Sequence, residues 1–190
     1  MMEGPQGRPD LPLSALAHMP MVVTPHQTYR RRPRDPILSN QSTEAIMDAL
    51  GDNKALVRRF YAEIDAGNLA AMDELVAPNF VDHDPPPIPG LAAGLIGLKQ
   101  AFEIFLHATP GTHEVLDQVA EGDLVATRIR ARGHFAENLG DIRATGGELD
   151  VTATTVYRVT NGQLSEHWGE TDSLTLMQQL GVLPAPAAQD

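Results

Sequence analysis

Tyr157-Arg158-Val159-Thr160-Asn161-Gly162-Gln163-Leu164-Ser165-Glu166-His167-Trp168-Gly169 reads as two β-strands folded back on each other. Asn161-Gly162 is the strongest short hairpin signal in the chain. A two-residue type I′ turn needs positive φ at both central positions, and Asn and Gly adopt it at the least cost. Strand-like, β-branched character also fills 112–120, 124–136 and 147–159, with Gly122-Asp123 as a second tight-turn pair and a longer link over 139–146. Together with 164–171 these predict four antiparallel strands in meander order.

Ahead of the strands the period is helical. Leu56, Val57, Phe60, Tyr61 and Ile64 recur on one face from Asn53 onward, with Asp52 placed as N-cap and Gly67 as stop. Leu69, Met72, Leu75 and Val76 form a shorter helix ended by Ala77-Pro78, and Asp65-Ala66-Gly67-Asn68 joins the two. Phe80-Val81 is a brief strand before Asp82-His83-Asp84-Pro85-Pro86-Pro87, where three prolines remove backbone donors and force an extended loop. A third helix covers 91–108. Asp172-Ser173 caps a last short helix that carries Leu174, Leu176, Met177 and Leu180 and stops at Gly181. This order predicts an α+β fold, a cone-shaped curved antiparallel sheet packed on three helices. An apolar pocket is expected between sheet and helices.

The chain has 190 residues, enough for one domain and an appendage, and no cysteine, so disulfides, thiolate nucleophiles and Cys-ligated metals are excluded. A net charge of −11 would repel phosphate backbones and anionic lipid, so neither nucleic acid nor a membrane is an expected partner. The first 40 residues differ in kind from the rest. They hold seven of the 15 prolines and five Arg against Glu3, Asp10 and Asp35, whereas the rest holds nine basic and 22 acidic residues. Such composition does not build a core. The expected organisation is a mostly disordered extension over 1–51, a domain over 52–183 and a disordered tail over 184–190. Prolines interrupt the apolar part of the extension and Arg30-Arg31-Arg32 follows it, contrary to a secretory signal; a transit peptide or an over-extended start remain as readings of it. No run is long enough to span a membrane, and a cytoplasmic location is expected.

Beyond periodicity, the chain resembles the SnoaL-like polyketide cyclase and ester cyclase branch of the nuclear-transport-factor-like superfamily. The likeness runs through Phe60-Tyr61-Ala62-Glu63, Ala66-Gly67-Asn68, Asp73 to His83, Val119-Ala120-Glu121-Gly122-Asp123, Tyr157-Arg158-Val159, Asn161-Gly162, Glu166-His167-Trp168-Gly169, Asp172 and Gln178-Gln179-Leu180-Gly181. It spans nearly all of 53–183. The resemblance implies a conical α+β barrel, a dimer formed through the outer sheet face, and cofactor-independent ring closure by aldol condensation in secondary metabolism. It also implies an acid/base Asp two residues beyond a His on the last strand. Here that His is His167 and the Asp position is Gly169. Two further polar pocket positions of the family fall at Ala153 and Thr155.

The candidate acid/base residues are therefore His167, Asp82 and His83. Period-two alternation puts His167 on one strand face with Ser165 and Gly169, and turns Glu166, Trp168 and Glu170 outward. There His167 is either a general base or a core histidine satisfied by backbone. Asp82 and His83 offer an acid and a base at the mouth of the cone, or local loop ties. Tyr157, Thr155, Tyr61 and His134 are candidate substrate-binding residues, the alternative for the tyrosines being ordinary aromatic packing with a polar tip. Trp168, the only tryptophan, is expected to anchor a homodimer. Arg128, Arg130 and Arg132 alternate on one face, as a solvated stripe or an anion clamp. A metal set of Asp82, His83, Asp84 and His167 can be assembled on paper, but neighbours in sequence rarely converge as ligands, and no metal or other cofactor is expected. Two functions follow from these residues. One is a cofactor-free cyclase, isomerase or hydratase acting on a small, largely apolar carbonyl or polyketide-like substrate. The other is a non-catalytic module that binds a hydrophobic ligand or serves assembly.

Overall fold

The computed structural model describes residues 40–184, with side chains from Ser42. Apart from residues 40–51, the expected extension and tail lie outside the described residues, save Pro184. The elements run α1 (Asn40–Asp65), a 3-10 turn (Leu69–Ala71), α2 (Met72–Leu75), β1 (Val76–Asp82), α3 (Gly94–Ala108), β2 (Gly111–Glu121), β3 (Leu124–His134), β4 (Glu148–Thr160), β5 (Gln163–Thr171) and α4 (Ser173–Gln179). The fold is α+β.

Two expectations change. Helix α1 starts at Asn40, so Asp52 lies inside it rather than capping it, and residues 40–51 are helical instead of disordered. Only the later half of α1 carries the buried face: Val57, Phe60, Tyr61 and Ile64 are at most 4% exposed, whereas Thr43 to Ala49 are all exposed. The apolar period therefore marks where the helix packs, not where it begins. Second, the sheet is mixed. Its order is β1-β5-β4-β3-β2, and β1 pairs parallel with β5 while every other pair is antiparallel. The proline loop and α3 between β1 and β2 carry the chain from one edge of the sheet to the other, which a meander alone does not do. The four α-helices named from the sequence are all present.

Helix α1 ends at the predicted glycine. Gly67 takes φ +70°, its N–H donates to Ile64 O and that of Asn68 to Glu63 O, so the last carbonyls of the helix are satisfied by a left-handed stop. The Asn161-Gly162 turn likewise has both residues at positive φ, 52° and 77°. Inside the sheet, Phe60 stands edge-on to Tyr61, Phe102 and Tyr157 with ring centroids 5.6–5.8 Å apart. Val125, Ile129 and Leu164 from the strands complete this core. A smaller cluster of Phe135, Leu149 and Leu180 seats α4 beneath β4. Asp172 caps α4 by accepting from the Thr175 backbone N–H at 3.1 Å.

Strand β5 does not alternate cleanly. Arg158 lies opposite Glu166 but Val159 lies opposite Leu164, so Ser165 is an extra residue. This β-bulge places Leu164 and His167 both inward although they are three residues apart. The Ser165 hydroxyl bonds to Thr160 Oγ1 and to the Arg158 carbonyl. Ser165 therefore does not share the inner face with His167 and Gly169 as simple alternation predicts.

Candidate active site

Two strands that run parallel at the edge of the sheet bring the main side chains together. Asp82, the last residue of β1, is level with His167 on β5, and His167 Nδ1 lies 2.9 Å from Asp82 Oδ1. Both side chains are mostly buried, 16% and 20% exposed. A carboxylate only accepts, so Nδ1 carries a proton, and in the neutral ring Nε2 then keeps its lone pair. Nε2 makes no hydrogen bond among the described residues. Burial by itself would push Asp82 up. The His167 hydrogen bond and charge, the Asp84 N–H and the His83 charge together hold its carboxyl below the usual range. The pair is an orienting carboxylate behind a base that faces outward from it.

The same loop grips β5 a second time. The Asp84 N–H donates to Asp82 Oδ1 and the Gly169 N–H donates to Asp84 Oδ2, each at 3.1 Å.

His83 stands apart from them. Its ring lies flat on Trp168, with centroids 4.4 Å apart and planes 4° from parallel, and its Nε2 is 2.9 Å from Glu166 Oε2. Glu166 and Trp168 occupy the outer face, so adjacent residues Asp82 and His83 project to opposite sides of the sheet, as alternation requires. His83 does not converge with the Asp82–His167 pair, and the four-residue metal set does not assemble. Arg158 sits 5.8 Å from the centroid of Trp168. Arg128, Arg130 and Arg132 pair with Asp117, Asp150 and Glu114 along that outer face, so they form a stripe of ion pairs.

The proposed binding residues divide in the same way. Tyr61 Oη lies 2.9 Å from Thr155 Oγ1, and the Thr155 hydroxyl donates to the Thr127 carbonyl at 3.5 Å. Both of these hydroxyls are thus occupied within the core. Burial drives the Tyr157 phenol well above its ordinary range, with Tyr61 and Asp82 adding to it, and burial also raises Tyr61. Both stay protonated. The Tyr157 ring packs 4.9 Å from that of His167, so it walls the base. His134 is exposed at the end of β3, opposite Glu148, at the far end of β4 from Tyr157.

One pair was not foreseen from the sequence. Asp65 at the end of α1 accepts from the His113 backbone N–H at 2.8 Å and holds His113 Nδ1 at 2.6 Å. The His113 ring lies 5.3 Å from Tyr61. No spacing rule links residues 48 positions apart; only the preference of a helix C-terminus for a cation, which here answers an awkward acid, hints at it. Two clefts open elsewhere. One of about 560 Å³ lies between the proline loop at Ile88–Leu91 and α3, and one of about 320 Å³ lies beside Asp52 and Arg59.

Comparison with known proteins places this geometry in context. The family model for SnoaL-like polyketide cyclases matches residues 55–180. A candidate polyketide cyclase from Bacillus cereus ATCC 10987 is 31% identical, over 78% of this chain and 89% of that one, with a TM-score of 0.59. IdmH, a candidate polyketide cyclase from Streptomyces antibioticus, is 30% identical over 68% of this chain and 98% of its own, also with a TM-score of 0.59. AclR, a candidate hydroxylase from Streptomyces galilaeus, shares the fold at 23% identity over 73% and 86%, with a TM-score of 0.63. No curated protein matches.

Proposed function

The chain belongs to the SnoaL-like polyketide cyclase family, and from that premise we propose that it is a cofactor-independent acid/base enzyme acting on a small, largely apolar carbonyl compound of polyketide type, as a cytoplasmic homodimer. The observation that carries this reading is the Asp82–His167 pair. An aldol ring closure removes a proton from the carbon beside one carbonyl and delivers one to the oxygen of the carbonyl attacked. His167 Nε2 takes the first proton, and Asp82 stabilises the imidazolium that results. The enolate carbon then bonds to the second carbonyl carbon, and the imidazolium returns its proton to the alkoxide. A C–H bond breaks, a C–C and an O–H bond form, and no electron acceptor enters. The same pair serves an isomerisation or a hydration, and family membership favours cyclisation. The outer face around Trp168 is the surface assigned to pairing, which sedimentation of a Trp168→Glu variant tests: a dimer unchanged by that substitution removes Trp168 from the interface.

The deciding experiment is a screen of aromatic β-keto and epoxide substrates against the native chain and His167→Ala. General acid/base groups contribute about 100-fold or more, so a substrate turned over equally by both chains removes His167 from the reaction.

One observation favours a second reading, a non-catalytic module that binds a hydrophobic ligand or serves assembly. The hydroxyls of Tyr61 and Thr155 are committed to the core. In that case the screen yields no turnover, and ligand binding survives His167→Ala.

A further inference from the structure

Gly169 lies on β5 beyond His167 and opposite Thr155. Its φ is not in the left-handed region, so the backbone there accepts any residue. Space does not. A Cβ built on Gly169 falls 2.9 Å from His167 Cε1 and 3.1 Å from Nε2, and real Cβ atoms essentially never approach to the first of these distances. The imidazole therefore leans over the bare α-carbon two residues on. Residues i and i+2 share a strand face, and in general the second side chain would hold the first upright. Here its absence lets the ring tilt toward β1, where Asp82 receives Nδ1–H at 2.9 Å.

We infer that Gly169 is a positioning residue: its missing side chain is the room that His167 needs to lie in hydrogen-bond contact with Asp82. The Asp82-to-Asp84 loop secures both halves of the arrangement, since Asp82 takes the ring of His167 and Asp84 takes the backbone N–H of Gly169. The atoms that a Cβ would strike belong to the far end of a rotatable side chain. A substitution at 169 is thus absorbed by turning His167 away, with the fold kept and the pair broken. A carboxylate placed at 169 would stand where the ring now lies and would displace it, so Gly169→Asp subtracts the existing base instead of adding an acid.

This inference rests on the dyad reading above, and its test is geometric, so that it succeeds or fails whether or not the dyad catalyses. The full chain is labelled with 15N and the ring resonances of His167 are assigned by their loss in His167→Gln. In the native chain neutral His167 is expected in the Nδ1–H tautomer, with a cross-peak between its Hε1 and the Gly169 α-protons. In Gly169→Ala the Nδ1–H signature of His167 is expected to disappear, while that of His113, held in the same way by Asp65, persists and reports an intact fold. Turnover, where a substrate is in hand, is expected to fall about 100-fold, as for any reacting group displaced by an ångström. A native chain without the cross-peak overturns the inference, and so does an alanine variant that keeps His167 in its Nδ1–H form. If the His113 signature vanishes as well, the variant has lost its fold and the native cross-peak alone decides.

Discussion

Tyr61 on α1 and Thr155 on β4, 94 residues apart in the chain, share a buried hydrogen bond of 2.9 Å. It ties the main helix to the middle of the sheet at the point where Phe60 and Tyr157 also meet. Both residues are buried, Tyr61 4% and Thr155 7% exposed, so the bond forms away from water. Tyr61→Phe removes this bond from a buried site and is expected to destabilise the domain by about 1 kcal/mol. Combined with Thr155→Val in a urea-unfolding cycle, the pair should show a coupling of about 1 kcal/mol. Strict additivity would mean that the bond is not formed in solution.

The Asp82 carboxylate sets a direction for the pH dependence. Its folded pKa is depressed below the ordinary value, so it contributes stability above the carboxylate range of the unfolded chain and loses that contribution as pH falls through its folded value. Asp82→Asn should therefore lower the melting temperature near neutrality, and the gap to the native chain should close as the buffer is taken below about pH 4. A gap of constant size at all pH values would show that Asp82 is not ionised behind His167.

The two histidines beside this loop should separate cleanly. His167→Ala removes the base and is expected to lose at least about 100-fold in turnover, with little change in tryptophan emission. His83→Ala uncovers one face of the only tryptophan and is expected to alter that emission while turnover holds. A loss of turnover in His83→Ala equal to that in His167→Ala would place His83 in the chemistry after all.

A chain that starts at Gly51 should keep its fold. Between Thr43 and Ala49 every residue of α1 is exposed, and the packed face opens only at Leu56 and Val57. Removing residues 1–50 is expected to move the melting temperature by no more than a few degrees. Failure of the shortened chain to fold would show that the first half of α1 carries stability that its exposure hides.

Much of the architecture was legible because local physics determines it. The Asn161-Gly162 turn, the stop at Gly67 and the Asp172 cap are each fixed by one or two residues, and the face of Val57, Phe60, Tyr61 and Ile64 by helical period. The parallel pairing of β1 with β5 was not legible, since seven residues interrupted by Pro78 hold little strand signal and their partner is distant in sequence. The site followed the same division. Asp82 and His167 were both named, yet what joins them is that non-local pairing. His83 was grouped with Asp82 through adjacency, which on a strand separates side chains rather than uniting them. Asp65 and His113 lay beyond reach for the reason that hid β1.

The extra residue at Ser165 acts as a phase shift. Upstream of it β5 keeps one inside-outside alternation and downstream the opposite one, so a single deletion there would turn the last six residues of the strand over. Trp168 and Glu166 would then face the core, and His167 would face solvent with its back to Asp82. The identity of the base is thus written less in the histidine itself than in the count of residues between it and the hairpin turn.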